Sequence, residues 1–170
     1  MNKQIGFLLL ILFLIVPPAY SKDHVVVVKL TGSINPAVAE YVSHEILEAN
    51  TEGDALIVLQ LDTPGGLDTS MREIIKNIQS SKVPVASFVA PTGSRAASAG
   101  TFITIASHIA VMAPGTNIGA AHPVMMSMPG ADKGDDPEAK KDSEAAMLEK
   151  VTNDSVAFIR NVAEQRGRNA

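Results

Sequence analysis

Apolar runs separated by Gly and Pro divide the chain, and their period alternates between that of a strand and that of a helix. His24 to Leu30 is a β-branched run with the character of a strand. Gly32 turns the chain, and Asn35-Pro36 opens a helix, with Asn as cap and Pro in the first turn, where its missing N–H costs nothing. Val38, Val42 and Ile46 then recur at i+4 beside Tyr41 and Leu47, which gives one apolar face, and Gly53 follows the helix end. Ala55 to Leu61 reads as a second strand and ends in Asp62-Thr-Pro-Gly-Gly66. Met71, Ile74, Ile75 and Ile78 fall on one face of a second helix, with Ser70 and Glu73 spaced as a capping box. Val83 to Ala90 is a third strand and Ile109 to Ala113 a fourth, closed by Pro114-Gly115. Between them Thr101 to Ser107 has the length and composition of a buried helix, and Asn117 to Gly119 suits a brief extended segment.

Alternation of helices with near-continuous apolar strands predicts an α/β domain with a parallel sheet covered by helices. Ligands in such sheets sit at the carboxyl ends of the strands. The Gly65-Gly66 loop and the stretch Pro91-Thr-Gly-Ser-Arg-Ala-Ala-Ser-Ala-Gly100 both fall there. From Val124 to Asp142 the chain turns polar, charged and rich in Gly and Pro, which predicts a flexible loop at about 124–142. Ser143 then starts a long helix with Met147, Val151, Ser155, Phe158, Ile159 and Val162 as its inner stripe. The chain stops at Arg166-Gly-Arg-Asn-Ala170, and a parallel-sheet domain ordinarily buries its last helix under further elements, so this end reads as a truncation.

The N-terminus has a different design. Lys3 precedes an apolar stretch from Ile5 to Val16, Pro17-Pro18 breaks it, and Ala19-Tyr-Ser21 supplies small residues before Lys22. A dozen apolar residues suit a signal peptide over 1–21, with an uncleaved anchor as the alternative, and both send residues 22–170 out of the cytoplasm. Length allows one domain, and 46% hydrophobic residues allow a substantial core. With 4% aromatics, no Trp and a net charge of -4, the composition argues against stacking on nucleic acid and against a polyanion partner. The absence of cysteine excludes disulfides, Cys-ligated metal, a thiol nucleophile and a lipid-modified N-terminal Cys.

The chemistry centres on Ser98, where a strand leaves its loop and a helix begins. First-turn amides have no internal partner and carry partial positive charge, so they stabilise negative charge developing beside them. Ala96, Ala97, Ala99 and Gly100 allow a substrate backbone to come close. A helix cap is the plainer reading of the same Ser. A nucleophilic Ser needs a base, and the sequence offers His108, His122 and Lys150. His108, at a helix end, reads as structural. Lys150 falls at the border of the apolar stripe of the last helix, and an amine with an ordinary pKa near 10.4 needs desolvation to serve as a base. No cluster has metal-ligand spacing, and Gly65-Gly66 lacks the Lys-Ser/Thr of a phosphate cradle.

Three motifs in order, Asp62-Thr-Pro-Gly-Gly66, Ser94-Arg-Ala-Ala-Ser-Ala-Gly100 and Met112-Ala-Pro-Gly-Thr-Asn-Ile-Gly-Ala-Ala-His-Pro123, resemble the NfeD family of membrane-bound serine proteases of the ClpP class. The resemblance runs from the first strand to Ala170. It implies a ClpP/crotonase-like spiral of ββα units and a Ser–Lys dyad with no cofactor and no metal. The nucleophile then matches Ser98 and the base Lys150. The oxyanion hole matches the amides of Gly66 and Ala99, with Gly65 and His122 lining the substrate site. The resemblance also implies an apolar peptide substrate in a stomatin-like membrane protein, with Met125, Met126 and Met128 as adaptable contacts, and a homodimer. Full-length members continue into more of the protease fold, membrane spans and a β-barrel domain, which would supply membrane association. His122 stands near the position of the His in ClpP-type triads, whose acid lies further downstream than Ala170. Two other functions share the fold: a crotonase-type enzyme holding an acyl-thioester oxyanion, which export disfavours, and a non-catalytic scaffold for membrane proteins.

Overall fold

The structure, a computed structural model, describes residues 24–123 and 137–169, with side chains of 137–142 excepted. The expected signal peptide and the Met125, Met126 and Met128 contacts lie outside the described residues. The elements are β1 (Val25–Thr31), α1 (Pro36–Glu52), β2 (Leu56–Asp62), α2 (Asp68–Ser80), β3 (Val85–Val89), β4 (Arg95–Ala97), α3 (Ala99–Ala106), β5 (Ile109–Met112), β6 (Asn117–Gly119) and α4 (Pro137–Gln165).

β1, β2, β3 and β5 form one parallel sheet in that order, and β4 pairs with β6 in a second, two-stranded parallel sheet. The main sheet never reverses its order, as the ClpP/crotonase-like spiral requires. Right-handed crossovers that advance in one direction leave their helices on one face of the sheet. That face buries Val28 and Leu30 of β1, Ile57, Leu59 and Leu61 of β2, and Val85 and Val89 of β3. Against them pack Ala39, Val42, Ile46 and Ala49 of α1 and Met71, Ile74, Ile75 and Ile78 of α2. Each fully buried aliphatic side chain here stabilises by about 1.5–3 kcal/mol relative to exposure. On the opposite face Val25 and Val27 of β1 and Ile109 and Val111 of β5 are exposed among the described residues.

Asn35 caps α1 through Val38 N–H at 3.0 Å, with Pro36 in the first turn, and Gly53 closes the helix at φ 71° with its N–H on Ala49 O. The Ser70–Glu73 capping box does not form. α2 opens at Asp68, because Leu67 is already fixed by its N–H on Ile34 O, and Ser70 is buried inside the helix. α4 opens at Pro137, ahead of Ser143, so the expected loop over 124–142 is helical from Pro137 onward. Proline at a first helical position is pre-organised for a helix, and the following Glu-Ala-Lys-Lys are strong helix formers. Only the later part of the expected α4 stripe is well covered. Val162 is buried and Phe158 and Ile159 pack on the core, whereas Met147 is exposed. No helix among the described residues is long and apolar enough to cross a membrane.

His108 stitches β5 to β3. Its Nδ1 accepts from Val85 N–H at 3.1 Å, a role open only to the unprotonated nitrogen, and its own N–H donates to Val85 O at 2.9 Å. Partial burial, and secondarily the charge of Arg166, hold its pKa below the ordinary value. The native state therefore binds this proton less readily than the unfolded chain, so His108 contributes stability above about pH 6.5 that is lost as pH falls through the lowered native value. Melting temperatures measured from pH 7.5 to 5 should decline less steeply in His108→Asn, whose amide oxygen can accept the Val85 bond without titrating. Equal slopes in the two proteins would remove His108 as a contributor.

Candidate active site

Ser98 sits between β4 and the first turn of α3, at φ 50° and ψ -118°, a conformation that costs a non-glycine residue about 1–3 kcal/mol. Its side chain makes no cap hydrogen bond, which removes the plain reading of this Ser as a helix cap. The turn is held from several sides. Ser98 N–H donates to Gly119 O at 2.9 Å, and Thr101 N–H to Ser98 O at 2.9 Å. The Thr101 hydroxyl lies 3.0 Å from both Ala96 O and Gly119 O and takes Gly119 N–H at 2.9 Å.

The loop after β2 comes up beside it. Buried Thr63 joins β4 through its N–H on Arg95 O at 2.7 Å and its carbonyl under Ala97 N–H at 3.0 Å. Gly65 N–H donates to the Thr63 hydroxyl at 3.0 Å. Gly65, at φ 112°, has room only for hydrogen: a Cβ there would stand 2.6 Å from Ser98 Cβ and 3.0 Å from Ser98 Oγ. Gly66 is as tight on its other side, where a Cβ would stand 2.0 Å from Ile34 O. Ile34 N–H donates to Gly65 O and Leu67 N–H to Ile34 O, so the Gly66 amide between them points away from Ile34. Neither Gly66 N–H nor Ala99 N–H, the first amide of α3, meets an acceptor among the described residues.

Gly66, Ser98 and Ala99 open on one cavity of about 340 Å³. Met71, Phe102, Ala121 and Val151 give it apolar walls, and Asp68 and Asp154 are its charged groups. His122 is exposed and lines an adjoining cavity of about 390 Å³, which shares Phe102, Ala121, Pro123 and Ser155 with the first. Lys150 is not among the residues that line the first cavity. Its neighbour Val151 and Asp154, one turn later, line the Ser98 cavity, but Lys150 is exposed and makes no hydrogen bond or ion pair among the described residues. The structure thus brings Ser98, Gly65, Gly66 and Ala99 together, sets His122 next door and leaves Lys150 outside the cavity lining. The sequence reading finds no metal spacing, yet His44, Glu45 and Glu48 on α1 bring three ligand atoms within 4.8 Å of one another, on residues that do not line the Ser98 cavity.

A family model described as NfeD1b, N-terminal domain, matches residues 24–170. The chain belongs to this family. It is 35% identical over 168 residues to the membrane-bound protease PH1510 of Pyrococcus horikoshii, an alignment covering 99% of this chain and 36% of that protein. Membrane protein NfeD1b of Bacillus subtilis is 32% identical over 100 residues, 59% of this chain and 22% of that protein. The chain therefore spans about a third or less of these relatives. Two solved structures of the 1510-N membrane-bound stomatin-specific protease superpose with a TM-score of 0.72. One, a serine-to-alanine mutant, is 35% identical over 87% of this chain and 66% of that one. The other, a lysine-to-alanine mutant in complex with a substrate peptide, is 36% identical over 88% of this chain and 63% of that one.

Thr63 and Thr101, which hold the Ser98 turn, and Arg72, which bonds to the cavity residues Asp68 and Asp154, are residues that the sequence reading of this NfeD1b-family domain passes over. Thr63 lies inside the Asp62-Thr-Pro-Gly-Gly66 motif, which is the one local signal for it, while Thr101 and Arg72 act through partners distant in sequence. Gly65→Ala should displace Ser98 and lower the melting temperature, since its Cβ meets that side chain and φ is positive. A crystal structure or Ser98 labelling by a fluorophosphonate checks this, and unchanged labelling would contradict the packing argument.

Proposed function

We propose that this domain is a serine endopeptidase in which Ser98 and Lys150 form the dyad, and that it cleaves apolar segments of a stomatin-like membrane protein. The reading is carried by one observation: a Ser held at positive φ, uncapped, beside two amides with no acceptor among the described residues. It is supported by the peptide-bound lysine mutant and the serine mutant of the related protease. Extracytoplasmic, membrane-associated and dimeric action belong to the same proposal.

In the reaction Ser98 Oγ attacks the peptide carbonyl while its proton passes to neutral Lys150 Nζ. The oxyanion accepts hydrogen bonds from Gly66 and Ala99 N–H, which are aimed at the developing charge and need no reorganisation. The ammonium of Lys150 then protonates the leaving amine, giving an acyl-enzyme and a free amino terminus. Water, deprotonated by Lys150, attacks the ester, and Lys150 returns that proton to Ser98 Oγ as the acid leaves. Gly65 leaves space for the substrate backbone, and His122 lines the adjoining part of the groove. The dyad requires the Lys150 side chain to turn into the cavity that Val151 and Asp154 line, and a bound peptide that excludes water there favours its neutral form.

Ser98→Ala should abolish peptide cleavage and labelling, and Lys150→Ala should abolish acylation, each by about 10³-fold or more. His122→Ala should only weaken cleavage. Acylation that survives Lys150→Ala and is lost in His122→Ala would transfer the base to His122. A cellular phenotype kept intact in Ser98→Ala would favour a scaffold.

A further inference from the structure

A base at position 150 has to shed its proton, and its own helix carries a charge that opposes this. Asp154 stands four residues after Lys150, and residues four apart on a helix are neighbours. A carboxylate in that position pairs with a lysine and favours its charged form. Asp154 is engaged elsewhere. Its Oδ2 accepts from Arg72 Nη2 on α2, while Arg72 Nε donates to Asp68 Oδ2 at 2.8 Å. The guanidinium also lies 4.2 Å from the centroid of the Phe158 ring, which stacks on Phe102 at 6.2 Å. A planar fork on an aromatic face can hold two carboxylates in fixed directions, which an ammonium cannot do. Lys150 is left with no ion pair among the described residues.

We propose that Arg72 is a positioning residue that ties α2 to α4 through Asp154 and withholds that carboxylate from Lys150, so that the lysine amine stays free to give up its proton. The inference rests on Lys150 being the base. The other charged groups around the pair are few. α2 contributes Asp68, Arg72 and, one turn on, Lys76; α3 carries none; the segment after β6 contributes His122; α4 itself adds Glu149. Ala146 and Asn153 occupy the neighbouring α4 positions on either side of Lys150, so Asp154 is the charge that its own helix offers one turn on.

The test titrates Lys150 directly. In a Ser98→Ala background the lysines are ¹³C-dimethylated, the Lys150 signal is assigned by its loss in Lys150→Arg, and its midpoint is followed by NMR. Arg72→Met should raise the midpoint by about 0.2–0.4 pH unit, the size of an exposed i,i+4 ion pair. Asp154→Asn should lower it, and the double variant should return it to the parent value. A merely structural role for Arg72 predicts neither the opposite signs nor the cancellation. An unchanged midpoint in Arg72→Met, or a shift that persists in the double variant, overturns the proposal. Should Arg72→Met fail to fold, Arg72→Gln, which likewise removes the charge that holds Asp154, takes its place, and an unmoved midpoint there overturns the proposal equally. The pH dependence of Ser98 acetylation by p-nitrophenyl acetate separates the two readings. Midpoints that move as stated while acetylation ignores them uphold the Arg72 pairing and remove Lys150 as the base. Midpoints that stay fixed while acetylation requires Lys150 remove the Arg72 pairing alone.

Discussion

Everything at the cavity depends on the clamp that Thr63 makes between the end of β2 and β4. Its backbone takes both partners from β4, Arg95 O and Ala97 N–H, while its hydroxyl takes Gly65 N–H. One residue thereby fixes the main sheet, the small sheet and the glycine loop relative to one another. Its methyl also sets the depth of α3, since a Cβ on Gly100 would stand 2.7 Å from Thr63 Cγ2. Ser98 sits at the point where these constraints meet. A positive φ at a non-glycine residue persists only where the surroundings over-determine it, and here three segments do so.

α4 is held differently. Its later part and the residues just after it grip both ends of α3. Phe158 stacks on Phe102 in the first turn, and Arg166 and Arg168 donate to Ala106 O, Ile105 O and Ser107 O at the last. Those carbonyls have no partner within α3, so the two guanidinium groups satisfy acceptors that a helix end leaves open and place positive charge at its negative pole. Arg166 Nη2 remains buried without a partner among the described residues, which fits its lowered pKa, caused first by burial and then by Arg168. Toward residue 143 the helix meets less of the domain, and Met147 and Leu148 are exposed. Asp154 and Arg72 mark the boundary between the gripped part and the free part.

Local features of the sequence foretell local structure well. The β-branched run at Val25–Val28, the Asn35-Pro36 cap and the i, i+3, i+4, i+7 stripe of α2 all form because each needs only neighbours within a few residues. Ser98 at a strand-to-helix turn was legible for the same reason. The capping box failed because Leu67 was committed to Ile34, more than 30 positions away, and that bond set where α2 begins. The exposed outer face of the sheet was not legible, because continuous Val and Ile runs look alike whether one face or two is covered. Thr63 and Arg72 were invisible as clamps for a related reason: their value lies in pairing with Arg95, Ala97 and Asp154, and no periodicity encodes a distant partner.

The border position of Lys150 on the helical wheel was legible, and it bears on how such a site would operate. The proposed nucleophile and its two amides belong to a part of the molecule fixed by interlocking backbone bonds, so their geometry exists before substrate arrives. The proposed base hangs from a helix that, among the described residues, is anchored beyond it, and Lys150 is exposed. Free solvent keeps a lysine charged, whereas a peptide lying across Met71, Phe102 and Val151 would strip water from an amine turned into the cavity and penalise that charge. Arrival of the substrate, rather than the folded state alone, would then switch the amine to its basic form. A rigid electrophile-binding half and an adjustable proton-accepting half divide the task along the line that the Arg72–Asp154 contact draws between α2 and α4.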